Sequence, residues 1–468
     1  MKTPLVALVA FVLVSSIGCG SAVEPEAVAL AKSDVARASA SPADANAAAA
    51  AIDAFGIDFY KRLAATDGNL VFSPASIALA LSMARAGAVG QTATEMDTVL
   101  HGVGSDAMAS AINALDQALA GRSGSFTDPG GQSHDVTLRI ANAPFAQKDV
   151  TFLPAFLDAL ASRFGAGVRL VDYKNDTEAA RQAINGWVSD QTEQRIPQLL
   201  APGVLDASTI LTLVNAIYLK APWGAAFFDP KTTAPGTFTR ADGSTVQVLM
   251  MSAHAGGSEA SATFQYAAGS GWQALEIPYL GGSLAMDIVL PDDLATFEAG
   301  LDADQFGTIM AALAVREVIL SMPSFDIETK ADLATMLSAL GMPTAFDPNK
   351  ADFSGMTTEQ QLFISHVIHQ ANISVDEKGT EAAAATAVVM TASAAPVQSL
   401  PPIVLNLDHP FLFALRDVPT GAILFLGRVT DPSIKSGPSS QAGAVHGRVC
   451  TCTANERRSC SAPNRSTA

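Results

Sequence analysis

Between Asp376 and Pro402 the chain carries a segment for which two kinds of secondary structure compete. Residues 381–387 read Glu-Ala-Ala-Ala-Ala-Thr-Ala, which is good helix material on propensity alone. The surroundings favour an extended strand. Upstream, Ile373-Ser374-Val375 alternates as a strand does. Downstream, Val388 and Val389 are β-branched, and Pro396, Pro401 and Pro402 stop a helix from continuing. At a period of two, one face carries Thr380, Ala382, Ala384, Thr386, Val388 and Met390. That face has no charge and little bulk, so it can be buried inside a sheet. The other face carries Glu381, Ala383, Ala385, Ala387, Val389 and Thr391.

The rest of the chain supplies such a sheet. Ile210 to Leu219 is apolar on both faces, a pattern that only a central strand shows. Val136–Ala146, Leu275–Ile277, Ala285–Leu290 and Val318–Met322 read as further strands. Phe411–Leu415 and Ile423–Val429 flank a Pro-Thr-Gly turn and predict a hairpin. Ile52, Phe55, Phe59 and Leu63 recur at helical spacing. Ser73 is placed to cap a helix with Pro74 in its first turn. Leu153–Phe164 and Leu333–Leu340 predict helices, the latter closed by Gly341. Gly121 to Ser133 is expected to be a polar surface loop. Strands and helices mix without a βαβ rhythm, so the expected class is α+β.

The 468 residues suffice for one large domain, and 49% hydrophobic content allows a sizeable core. A net charge of −17 argues against nucleic acid as a partner. Residues 1–18 read as a targeting segment: Lys2, an apolar run from Leu5 to Val14, then small residues before Cys19. That run is too short for an ordinary membrane span. Gly18-Cys19 resembles a bacterial lipoprotein signal, with Cys19 lipidated after cleavage, although Ser16 stands where leucine is usual. Plain cleavage near Ala22 is the alternative. Either way the protein is expected outside the cytoplasm, on the outer membrane or cell surface or secreted, touching a membrane only through Cys19. Residues 19–50 are rich in alanine, serine and acids and read as a tether. The domain is then 51–433, with a disordered tail over 434–468. Cys450, Cys452 and Cys460 lie in that tail, an odd number that leaves a free thiol or an intermolecular bridge.

No catalytic constellation emerges. The chain has no G-x-S-x-G elbow, S-x-x-K, H-E-x-x-H or P-loop pattern, so neither an enzyme nor a cofactor is expected. His366 and His369 are close in sequence, but their odd separation in a strand points them to opposite faces and argues against a metal pair.

Several stretches in one order, among them Asn69-Leu70-Val71-Phe72-Ser73-Pro74, Leu213-Val214-Asn215 and Gly421-Ala422-Ile423-Leu424-Phe425, resemble the serpins, the family of serine-protease inhibitors. Asn69-Leu70-Val71-Phe72-Ser73-Pro74-Ala75-Ser76-Ile77 looks like their N-terminal signature. Ile184-Asn185-Gly186-Trp187-Val188, Leu213 to Lys220 with Trp223, and Met250-Met251 follow in family order. Asp408 to Phe413 and Gly421 to Val429 look like the C-terminal strands. Asp376 to Met390 looks like the hinge and reactive loop. The likeness runs from about Phe55 to Pro432.

The resemblance implies the serpin fold: a single domain with a large central mixed sheet, further sheets, surrounding helices and an exposed loop. It implies a suicide inhibitor of a serine protease, in covalent acyl complex with it, and otherwise a monomer. Glu377, Gly379, Thr380, Glu381 and Ala382, Ala383, Ala384 and Ala385 match the hinge. Ser73, Ser76, Asn215 and His369 match the cluster beneath the opening sheet, called the shutter. Trp223 matches the breach, where the loop enters, and would otherwise read as plain core. Lys330 is the expected ion-pair partner of Glu377. Family spacing from Gly379 puts the scissile bond at Ser393-Ala394; counting back from Pro410 gives Val397-Gln398. The small residues Thr391 to Ala395 suit an elastase-like or subtilisin-like protease. No Arg or Lys lies between Lys378 and Arg416, so a trypsin-like target is not expected. Leu400 or Met390 would suit a chymotrypsin-like enzyme instead. The alternative is a non-inhibitory serpin acting as a binding or carrier module. Such members often carry bulky, charged or proline residues in the hinge, and this chain does not.

Overall fold

A computed structural model describes residues 28–253, 262–381 and 401–434 of the chain. The expectations for residues 1–18, Cys19, Ala382 to Ala385, Ser393, Ala394 and the three tail cysteines lie outside these residues.

The main sheet holds eight strands, numbered here in chain order. They are β1 (Ala29–Ala31), β2 (Gly124–Thr127), β3 (Ser133–Gln147), β4 (Val168–Val171) and β5 (Leu211–Pro222). β6 (Phe325–Asp332), β7 (His366–Asp376) and β8 (Gly379–Thr380) complete it. The order across the sheet is β1-β4-β3-β5-β8-β7-β6, with β2 pairing on the end of β3. The both-sided apolar run is central, as predicted: every residue of β5 but Lys220 is buried. Leu213, Ile217 and Leu219 face the main core, whereas Val214 and Ala216 face a second core beneath the helix Thr177–Gln191.

Helix α1 (Ala45–Leu63) buries Ile52, Phe55, Phe59 and Leu63. Helix α2 (Pro74–Arg85) is buried from Pro74 to Ala84 and packs against β3, β5 and the strand Ile423–Val429. Its start is fixed as the sequence indicates: the Ser73 hydroxyl accepts from Ser76 N at 3.1 Å, and Pro74 occupies a first-turn position that needs no amide donor.

A second sheet lies alongside, in the order Leu70–Phe72, Ile423–Val429, Phe411–Asp417, Leu284–Pro291, Trp272–Pro278, Ala262–Gly269, Ala314–Pro323, Thr245–Ala253, Ala234–Thr239. Ile403–Asn406 adds to Ala314–Pro323 in parallel. Sheets and helices share a continuous apolar core.

Two expectations are corrected. Gly121–Ser133 is not wholly loop: Gly124–Thr127 pairs with Ser133–Val136 as a hairpin. Its polar composition disguised two short, mostly exposed strands that touch the core through Phe126 and Val136. The tether also folds from Val28 onward. β1 pairs with β4 at the sheet edge, and Arg37 Nε donates to Asn113 Oδ1 at 2.9 Å beside an ion pair with Asp116. Ala45, Ala48 and Ala49 are buried in the first turns of α1, so that alanine-rich stretch is helix.

Candidate functional site

The site is built on the two strands β5 and β7 that flank the centre of the main sheet. At one end they pair directly and in parallel, His366–Gln370 against Thr212–Ala216. At the other end they are held apart by β8, two residues long and antiparallel to both. Gly379 lies opposite Pro222 and Asp376, and Thr380 opposite Ala221 and Val375. Between the two ends, Ile217 to Leu219 and Ala371 to Ile373 have no pairing with one another among the described residues. The sheet therefore has a slot at its centre, plugged at the top by the first residues of the hinge.

Gly379 has φ 140°, and a Cβ there would stand 2.2 Å from the Ala221 carbonyl oxygen. Only glycine allows the chain to turn into the sheet this close to β5. Thr380 follows and is buried, its hydroxyl 2.5 Å from the Tyr279 hydroxyl. Burial raises the Tyr279 phenol well above its ordinary pKa, so it remains a neutral hydrogen-bonding group. Trp223 stacks on the Tyr279 ring at 4.8 Å and 10°. Its indole Nε1 donates to the Asp376 carbonyl at 3.0 Å, and its backbone N donates to the Lys378 carbonyl at 3.0 Å. Trp223 therefore grips the turn from Asp376 to Gly379 and is more than core filling. Tyr279 was not singled out in the sequence, because it comes from a turn after Trp272–Pro278 and meets Thr380 only through the fold.

Glu377 does not pair with Lys330. Its carboxylate accepts from the Thr233 hydroxyl at 2.6 Å, while Lys330 Nζ donates to the Gln198 carbonyl at 2.8 Å. The reason is positional. Lys330 lies on β6 opposite Gln370, whereas Glu377 lies beyond the last residue of β7. The carboxylate that does find a basic partner is Glu381, with Arg195 Nε at 2.7 Å.

Near the parallel end lies the second cluster. Ser73 N donates to His369 Nε2 at 3.2 Å, and His369 Nδ1 hydrogen-bonds Asn215 Oδ1. The chemistry fixes the tautomer: Nε2 accepts, so Nδ1 carries the proton and the imidazole is neutral. Burial agrees, pushing the His369 pKa down to about 3. The Asn215 Nδ2 donor has no partner among the described residues. Ser76 joins through a residue that sequence reasoning missed, its hydroxyl donating to Asn142 Oδ1 at 3.0 Å. Asn142 is the cross-strand neighbour of Asn215 on β3, a relation that only register reveals. His366 points the other way, as its spacing predicts, and bonds Asp332 at 2.6 Å.

Comparison with known proteins gives one answer. The family model described as "Serpin (serine protease inhibitor)" matches residues 50–432. Leukocyte elastase inhibitor A of Rattus norvegicus is 37% identical over 375 residues, 78% of this chain and 93% of that protein. Leukocyte elastase inhibitor of Homo sapiens is 34% identical over 390 residues, 81% of this chain and 97% of that protein. Among solved structures, maspin superimposes with a TM-score of 0.72 at 26% identity, covering 83% of this chain and all of that one. Tengpin, a thermophilic serpin in its native state, gives 0.71 at 25% identity, over 86% of this chain and all of that one. With its α+β fold of a large mixed sheet and a second sheet packed on a shared main core, the chain belongs to the serpin family of serine-protease inhibitors.

Proposed function

We propose that the protein inhibits a serine protease as a suicide substrate, and that the slot between β5 and β7 receives its loop. The protease attacks the loop as substrate and forms an acyl-enzyme. Cleavage frees the hinge, which inserts as a new central strand and drags the tethered protease out of its working geometry before water releases it. Strand addition of this kind, serpin loop insertion included, is a general mode of recognition and of strain release.

The observation that supports this reading is the register of β8. Continuing it sets residue 382 opposite Leu219 and Ile373, 384 opposite Ile217 and Ala371, and 386 opposite Asn215 and His369. These neighbours are all buried. Residues 382 and 384 are alanine and 386 is threonine, small enough to follow Thr380 on the same face. From residue 385 onward the strand has to unzip the parallel pairing, which starts at Gln370 and Ala216, and displace the His369–Asn215 bond. The Thr386 hydroxyl then arrives beside the unpartnered Asn215 amide and can accept from it.

For the target, the small residues Thr391 to Ala395 suit a protease with a small specificity pocket, elastase-like or subtilisin-like. Relatives named as leukocyte elastase inhibitors fit the same chemistry. Incubation with such a protease should yield a covalent complex stable in SDS, with the acyl bond within a few residues of Ser393. Clean cleavage of the loop with full recovery of active protease would overturn the inhibitory reading in favour of a binding or carrier role.

We further place the protein outside the cytoplasm, anchored by a lipid on Cys19, on the strength of the apolar run ahead of Gly18-Cys19. Cys19→Ala should move it from the membrane fraction to the soluble exported fraction. A wild type already soluble outside the cell would leave ordinary secretion.

A further inference from the structure

The segment that follows the helix Thr177–Gln191 is tied to the main sheet at three points. At β3, Arg139 Nη2 pairs with Glu193 Oε1 at 3.0 Å. At the end of β8, Arg195 Nε pairs with Glu381 Oε1 at 2.7 Å. At β6, Lys330 Nζ donates to the Gln198 carbonyl at 2.8 Å. The first and last ties lie on opposite sides of the slot, and the middle one holds the hinge itself. Tyr218 of β5 lies among these charges; burial, then Glu381 and Glu193, push its phenol up to about 12.

The backbone marks the same contact. Four non-glycine residues among those described have positive φ, and three belong here: Glu193 at 50°, Gln194 at 64° and Glu381 at 50°. Left-handed backbone at such residues costs roughly 1–2 kcal/mol each and persists only where surrounding contacts hold it. The Glu381 side chain is only 11% exposed, so its pair with Arg195 is better shielded from water than an ordinary surface ion pair.

We propose that this strap is a lock, and that Arg195, acting through Glu381, is the positioning residue that stops the hinge after Thr380. The inference rests on the insertion reading above. Residue 382 can enter the slot only if Glu381 passes from φ 50° to extended backbone, because a strand of period two admits no left-handed residue. That rotation carries the carboxylate out of the geometry that Arg195 holds. The chain is therefore arrested with one buried hinge side chain, and the strap has to yield before more follow.

The test uses the intact protein and a synthetic peptide with the sequence of residues 381–391, which competes for the slot. Uptake is read from the rise in thermal midpoint with incubation time. Arg195→Ala and Glu381→Gln should each speed uptake about tenfold, the effect of about 1.4 kcal/mol on a barrier. The double variant should be no faster than either single one, and Arg195→Lys should stay within about twofold of wild type, since it keeps the charge. Unchanged uptake in both single variants, or acceleration by Arg195→Lys equal to that by Arg195→Ala, would overturn the lock and leave insertion standing. A wild type and variants that never take up the peptide would overturn the insertion reading, and the lock with it.

Discussion

The two sheets of this molecule solve the problem of buried polar groups in opposite ways. In the second sheet the charges are stitched. Arg416 pairs with Asp287 at 2.7 Å and with Glu276 at 2.5 Å, Arg122 with Asp417 at 2.5 Å, and Arg428 with Glu298 at 2.9 Å. In the main sheet the facing strands β5 and β7 keep three buried atoms without partners among the described residues, Thr212 Oγ1, Asn215 Nδ2 and Gln370 Oε1. Each such atom costs about 1–3 kcal/mol relative to a satisfied one. The central ladder of that sheet is also interrupted, whereas the neighbouring strands of the second sheet pair one after another. The lesson is that the second sheet pairs across its whole width, whereas the main sheet keeps an unpaired stretch between β5 and β7 among the described residues.

The contrast can be broken most severely at Thr380. Thr380→Arg buries a guanidinium where Tyr279 offers only a phenol, a penalty of several kcal/mol. Each 1.4 kcal/mol slows insertion about tenfold, so trapping should fall by about a hundredfold or more while the loop is still cleaved. Ala383→Arg, on the other face of the same strand, is the control and should still trap. Equal yields of SDS-stable complex from both variants would show that the two faces assigned here are not distinct.

In the second sheet the expected effect is on stability alone. Arg416→Met leaves Asp287 and Glu276 without their cation. Breaking a buried pair in this way costs about 3–5 kcal/mol, and this case should fall at the low end. Burial already pushes the Asp287 pKa up to about 6, with Arg416 opposing, so the carboxyl can take a proton once the cation is gone. A lower denaturation midpoint with unchanged trapping would sharpen the division of labour. Lost trapping in a folded Arg416→Met protein would blur it.

The smallest effect, taken per pH unit, concerns acid. His369 is neutral when folded with a pKa near 3, against about 6.5 in an unfolded chain. As pH falls below about 6.5 the unfolded state takes up the proton first. This contribution to stability is therefore complete above that pH and is lost at about 1.4 kcal/mol per pH unit down to about 3. The denaturation midpoint of the wild type should carry that slope, and His369→Gln should flatten it. A slope of the same size in the variant would assign the acid sensitivity to other groups.

What the sequence made legible were features that one strand or one helix end can carry. β5 announced itself by being apolar on both faces, and Ser73-Pro74 by the chemistry of a helix start. The burial of Thr380 could be read because period-two spacing needs no partner to define a face. Tyr279, Asn142 and Arg195 could not, since each matters through a neighbour supplied by another element. The Lys330 expectation failed for that reason: charge complementarity was visible, but its reach across the sheet was not. Residues 28–44 were misread because composition says nothing about an edge strand whose hold comes from Arg37 and a backbone ladder.

One consequence follows from the direction of β8. The strands on either side of the slot run parallel to one another, and among the described residues their direct junction is the short stretch near His369. A strand filling the slot runs opposite to both. Full entry would replace one parallel seam with two antiparallel ladders and leave the β3–β4 seam as the parallel junction within the sheet. The conversion thus changes the polarity of backbone dipoles at the centre of the molecule, which gives it an infrared amide signature independent of any protease, inhibitor complex or label.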